Sequence, residues 1–142
     1  MSWHSTLLDG LAEQIDHADL GVYRENGQYA DSERGIVMQV YPERPIELIS
    51  LSLYLPERTL LSPTAAHDLS TPRVQIRYRL MGSPFGGIDM FDALSALIDG
   101  KHLALGDVTA TGEYVSFADL GQDASARHEF STNWKLTGLR PL

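Results

Sequence analysis

Over residues 73–81 the chain alternates without a fault. Val74, Ile76, Tyr78 and Leu80 fall on one phase, and Arg73, Gln75, Arg77 and Arg79 on the other. A period of two puts successive side chains on opposite faces of a strand, whereas a helix would scatter the same residues around its circumference. The segment therefore reads as a β-strand with one buried and one polar face, and the fold must supply a sheet with something packed on it. The same phase returns near the end of the chain, where Phe130, Thr132, Trp134 and Leu136 alternate with Glu129, Ser131, Asn133 and Lys135. Residues 108–117 and 128–136 thus predict a hairpin joined by the polar ADLGQDASAR, with Trp134 in the core.

The cover for such a sheet is written in two segments of helical period. Between residues 6 and 18, Leu7, Leu8, Leu11, Ile15 and Ala18 recur every three or four positions, with Asp9, Glu13, Gln14 and Asp16 elsewhere on the wheel. Ser5 or Thr6 can cap its start, and Gly21 follows its end. Trp3 is either a staple beneath this helix or an exposed anchor. From 88 to 98, Phe91, Leu94, Leu97 and Ile98 lie opposite Asp89, Asp92 and Asp99, and Gly100 closes the pattern. Residues 82–87, GSPFGG, read as a turn.

Further short strands are expected at 21–24, 35–40 and 46–55. In the last of these the apolar phase slips between Leu48 and Ile49, which predicts a bulge or a change of partner. Residues 56–72 contain three prolines and no period, and read as a long loop of the kind that serves binding or forms a disordered arm. The order α-β-β-β-β-α-β-β predicts an α+β fold: a mainly antiparallel, mixed sheet with two helices on one face, in a single domain over 1–142.

Function classes narrow by subtraction. The net charge is −8, and the acidic residues concentrate in 1–34 and 85–126, the wrong sign for gripping phosphate backbones over a broad face. With no cysteine there is no disulfide, thiolate zinc site or thiol nucleophile. The five histidines lack metal-site spacing, and His67-Asp68 has no GxSxG partner, so both read as solvated loop residues. GSPFGG lacks the Lys and Ser/Thr of a phosphate loop. The first residues carry neither a basic leader nor an apolar span, so no membrane association is expected. No catalytic residue, metal or cofactor is therefore expected. What stands out is the stripe Arg73, Arg77 and Arg79. It is either a solvated strand face or a surface that meets acids such as Asp89 and Asp92 of a neighbouring copy.

Several segments in sequence order carry a resemblance: LLDGLAEQI followed by GVYR, GIVMQV, VQIRYRLMG, FDALSALIDG and the closing LGQDASARHEFSTNWKLTGLRP. Together they resemble the minor capsid, or tail terminator, proteins of long-tailed bacteriophages, especially those infecting actinobacteria. SPFGG and the extended 57–72 segment depart from that pattern. The resemblance implies a structural virion protein, not an enzyme, that rings the end of the tail tube, usually as six copies. It would stop tube polymerisation and dock the head-side connector. The implied partners are the chain itself, the tail tube protein and the connector, with DNA sliding through the ring unbound. The implied place is the virion's head–tail joint, after assembly in the host cytoplasm. Subunit or tube contacts would then fall on Arg73, Arg77, Arg79, Asp89 and Asp92, with Leu60 and Leu61 of the variable segment. Another neck component, such as a head-completion or connector protein, shares this context, and a small-molecule-binding or enzymatic α+β domain is a separate class.

Overall fold

The alternating segment is the middle of a strand that runs far beyond it. In the computed structural model, which describes residues 1–142, the elements are α1 (Trp3–His17), β1 (Val22–Tyr23), β2 (Arg34–Met38), β3 (Glu47–Leu60), β4 (His67–Leu80), α2 (Phe85–Ile98), β5 (His102–Leu105), β6 (Val108–Gln122) and β7 (His128–Pro141). The fold is α+β, with one strand more than the expected order, because β5 follows α2 directly. The seven strands form one sheet in the order β1-β2-β3-β4-β7-β6-β5. β1, β2 and β3 pair in parallel and all other neighbours pair antiparallel, so the sheet is mixed.

The core lies between the helices and one face of this sheet. Leu7, Leu11 and Ile15 of α1 and Met90, Leu94 and Ile98 of α2 join Ile49, Leu51, Val74, Ile76, Tyr78, Phe130, Trp134 and Leu136 in a single buried cluster. The phase assigned to β4 and β7 is the observed one. α1 begins three residues earlier than its apolar period, because the Ser2 hydroxyl, rather than Ser5 or Thr6, accepts from the Ser5 N–H as the cap. Trp3 is half-buried and packs against the core edge, close to Gly138. No helix is long and apolar enough to cross a membrane.

Three sequence expectations are corrected. First, residues 82–87 are only partly a turn. Gly82, with φ of +91°, makes it, but Gly86 and Gly87 lie inside α2. Gly87 is buried against β7, where a Cβ would come within 2.0 Å of the Phe130 ring, so the glycine permits close helix–sheet packing. Second, Leu48 and Ile49 pair without interruption to Arg79 and Tyr78, and the register shifts later, between Leu53 and Leu55. Both are buried because Ile49 faces the helices while Leu48 lies under the 39–46 segment, which folds over the other face. The Ser50 hydroxyl donates to the Val40 carbonyl and helps hold that segment down.

Third, 56–72 is not a loop. β3 and β4 continue as a hairpin whose turn occupies only 61–66, so Leu60 ends a strand and Leu61 begins the turn. Pro56 stands opposite Pro72. Neither has an N–H, so this rung is a non-hydrogen-bonded pair and both nitrogens point away from it. Pro72 thus faces β7, where pairing lapses between Ser70 and Arg73, and Pro56 faces the open side of β3 beyond Leu51, the last β3 residue with a partner in β2. The prolines are tolerated because neither removes a bond between β3 and β4. β7 accompanies this arm to Pro141, and the Leu142 N–H donates to the Ala66 carbonyl.

Candidate interaction surfaces

The basic stripe is largely consumed within the chain. Arg79 is 1% exposed. Its Nε donates to the Ile46 carbonyl at 3.0 Å, and its Nη2 donates to those of Glu43 at 3.0 Å and Pro45 at 2.7 Å. It is a latch for the 39–46 segment and cannot meet another subunit. Arg77 donates to Glu129 at 3.2 Å and stacks over the Tyr41 ring with its guanidinium carbon 3.9 Å from the centroid. The Tyr41 hydroxyl, pushed up to about 12 by burial and then by the Glu129 charge, donates to the same carboxylate. Arg73 alone of the three makes neither an ion pair nor a side-chain hydrogen bond; it is half-buried between Leu55 and Lys135 on neighbouring strands. The face expected to be wet is thus covered at one end and polar in its middle.

Asp89 and Asp92 are exposed on α2, whose other exposed side chains near its start include Phe85 and Ile88, 69% and 48% exposed. They do not lie against the arginine stripe of their own chain, because α2 packs on the opposite sheet face. Leu60 and Leu61, 55% and 56% exposed, sit at the far end of the β3–β4 arm. Beyond Tyr54 every residue of β3 is exposed, whereas β4 keeps a buried phase through Asp68, Ser70 and Pro72.

Asp68 is the residue that pattern reading misplaced. It is fully buried on the inner side of the arm, where Arg140 donates to it at 2.9 Å, Ser70 at 3.1 Å and Arg58 at 3.5 Å. Burial works against its charge, but the bonds from Arg140 and Ser70 and the charges of Arg140 and Arg58 outweigh it and hold the carboxyl below its ordinary range. His4, at the start of α1, is pushed below its ordinary value by burial and by Arg140, with Asp68 opposing. The signal was present: the even-numbered phase of β4 extends back through Pro72 to Asp68. A second ionic cluster, in which the buried Arg127 meets Asp123 at 2.8 Å and the exposed Glu43 at 2.9 Å, ties the β6–β7 turn to the 39–46 segment.

Concave surface is shallow. A cleft of about 460 Å³ between α1 and β1 is bordered by Leu8, Asp9, Tyr23 and Met38. Its polar groups satisfy one another: the Tyr23 hydroxyl donates to Asp9 at 2.5 Å, and its N–H to Asp16 at 3.0 Å. No three His, Asp or Glu side chains converge as a metal site would require.

No protein-family model matches the chain, and no curated protein matches it. Among solved structures it is similar, with a TM-score of 0.48 and 12% sequence identity over 72% of its length and 78% of the other chain, to a chain from the virion of a native gene transfer agent particle.

Proposed function

We propose that this chain is a structural protein of a phage-like virion, the tail terminator that closes as a ring on the end of the tail tube, halts its growth and offers a docking face to the head-side connector. The reading rests on the resemblance of the ordered segments from LLDGLAEQI to the closing GLRP. The single structural observation that supports it is the β3–β4 arm, a hairpin flanked by β7 with Leu60 and Leu61 exposed at its end. Neighbouring exposed apolar residues at the end of an arm suit an assembly contact. The role is one of assembly rather than catalysis and needs no cofactor. The surplus of acids suits a ring through which DNA passes without adhering, because like charge repels the phosphates.

The test is localisation followed by reconstitution. A tagged copy should be seen by electron microscopy at the head–tail joint, and purified protein should cap isolated tail tubes as a closed ring. A virion whose joint holds no copy of this chain would overturn the proposal, and label at a different neck layer would assign it to a connector or head-completion role.

A further inference from the structure

The outermost strands, β1 and β5, have only two and four residues, and the open stretches of β3 and β6 beside them are blunted. On β3, past its last partner in β2, Pro56 turns a nitrogen without a proton to the outside. On β6, past the end of β5, two register shifts, between Tyr114 and Ser116 and between Asp119 and Gly121, break the ladder. Prolines and bulges are the usual means of preventing edge-to-edge pairing. Contact between copies is then favoured through side chains, and two of the exposed apolar sites lie at the ends of β4. One is the end of the arm, Leu60 and Leu61. The other is the start of α2, Phe85 and Ile88.

These two sites lie at opposite ends of β4, whose 14 residues span about 45 Å, so one copy cannot join them to each other. Their charges are complementary on one face of the arm, where Arg58 shares the side of Leu60 and Glu57 takes the other. α2 and its C-cap carry Asp89, Asp92 and Asp99 with no basic residue. Beside Leu60 the arm carries Arg58, half-exposed and only 3.5 Å from an Asp68 that Arg140 already holds at 2.9 Å. We propose that the arm end of one copy seats on the first two turns of α2 in the next, with Leu60 and Leu61 against Phe85 and Ile88, and Arg58 facing Asp89 and Asp92. Two different surfaces in contact make a head-to-tail interface, which closes into a ring when the rotation per copy allows. The inference rests on the ring reading above and names the surfaces that build it.

The absence of cysteine makes a direct test possible. Leu61→Cys and Phe85→Cys are made singly and together, and oxidised on tail tubes after electron microscopy has scored capping. The double variant should give a covalent ladder up to the ring's copy number, a mixture of the two single variants should stop at dimers, and each single variant should stay monomeric. Capped tubes without a ladder overturn this contact and leave the ring intact. Uncapped tubes with wild-type protein overturn the ring reading and this contact with it. A Leu61→Cys variant that couples to itself overturns the head-to-tail arrangement. As a second measure, Ile88→Asp should raise the concentration needed for capping at least tenfold without moving the melting temperature, and capping at the wild-type concentration counts against the interface.

Discussion

The hydroxyl of Tyr78 on β4 donates a 2.6 Å hydrogen bond to the Gly87 carbonyl of α2, so the helix is fixed to the sheet by a polar contact beside a point of near-touching. The tyrosine is fully buried, its ring stacks on Phe130 at 5.3 Å, and burial, followed by the charges of Asp119 and Asp92, pushes its ionisation well above the ordinary tyrosine range. Gly87→Ala should force α2 away from Phe130 and cost about 1–3 kcal/mol. Gly86→Ala, one residue earlier with nothing near its added Cβ, should be neutral or gain up to about 1 kcal/mol from helix propensity. Urea denaturation of both variants checks the pair, and equal midpoints would contradict the packing.

Trp134 is fully buried on the phase shared with Phe130 and Leu136, and its indole N–H donates to Thr132 at 2.8 Å. Trp134→Ala should cost roughly 3–5 kcal/mol, whereas Lys135→Ala on the opposite face should cost about 0.5 kcal/mol or less. Thermal unfolding should separate the two by roughly ten degrees in a domain of this size.

The arginines of β4 should differ sharply despite their shared pattern. Arg79→Met leaves three backbone carbonyls without donors and releases the 39–46 segment, with a loss above about 2 kcal/mol. Arg73→Met, with no ion pair to lose, should stay within about 0.5 kcal/mol. Hydrogen exchange across 39–46 should rise only in the Arg79 variant.

Acid should weaken the fold in two stages. His4 has a folded-state pKa below its ordinary 6.5, so its neutral form is favoured in the native state. That contribution is complete above 6.5 and is lost as pH falls through the lower folded value. Asp68, held below its ordinary 3.8, contributes fully above that value and is lost only in stronger acid. Melting temperatures from pH 7 to 3 should show an early decline that His4→Gln reduces and a later one that Asp68→Asn reduces.

What the sequence discloses follows from how far each signal depends on neighbours. The helices, the phase of β4 and the buried Trp134 need only local period, and they stand where period put them, save that each helix starts three residues earlier. The arm did not announce itself because prolines argue against a strand unless two of them share a rung, and which rung residue 56 occupies is decided by its partner 16 positions away. Arg79 looked like its neighbours Arg73 and Arg77 because alternation assigns a face but does not say what covers it. The cover is 39–46, a segment without period. Gly87 read as a turn residue because a glycine that admits an aromatic ring looks, in one dimension, like a glycine that bends the chain.

Strand β4 runs the full distance from the arm to the start of α2, flanked for most of its length by β3 and β7. A pull applied at Leu61 and resisted near Leu80 therefore acts along the strand, not across it. The load then runs through the covalent backbone of a strand that is already extended and hardly strains the rungs beside it, whereas a force across the sheet would open them one after another. The long strand makes the molecule a tension member, strongest along the line joining its two exposed apolar ends.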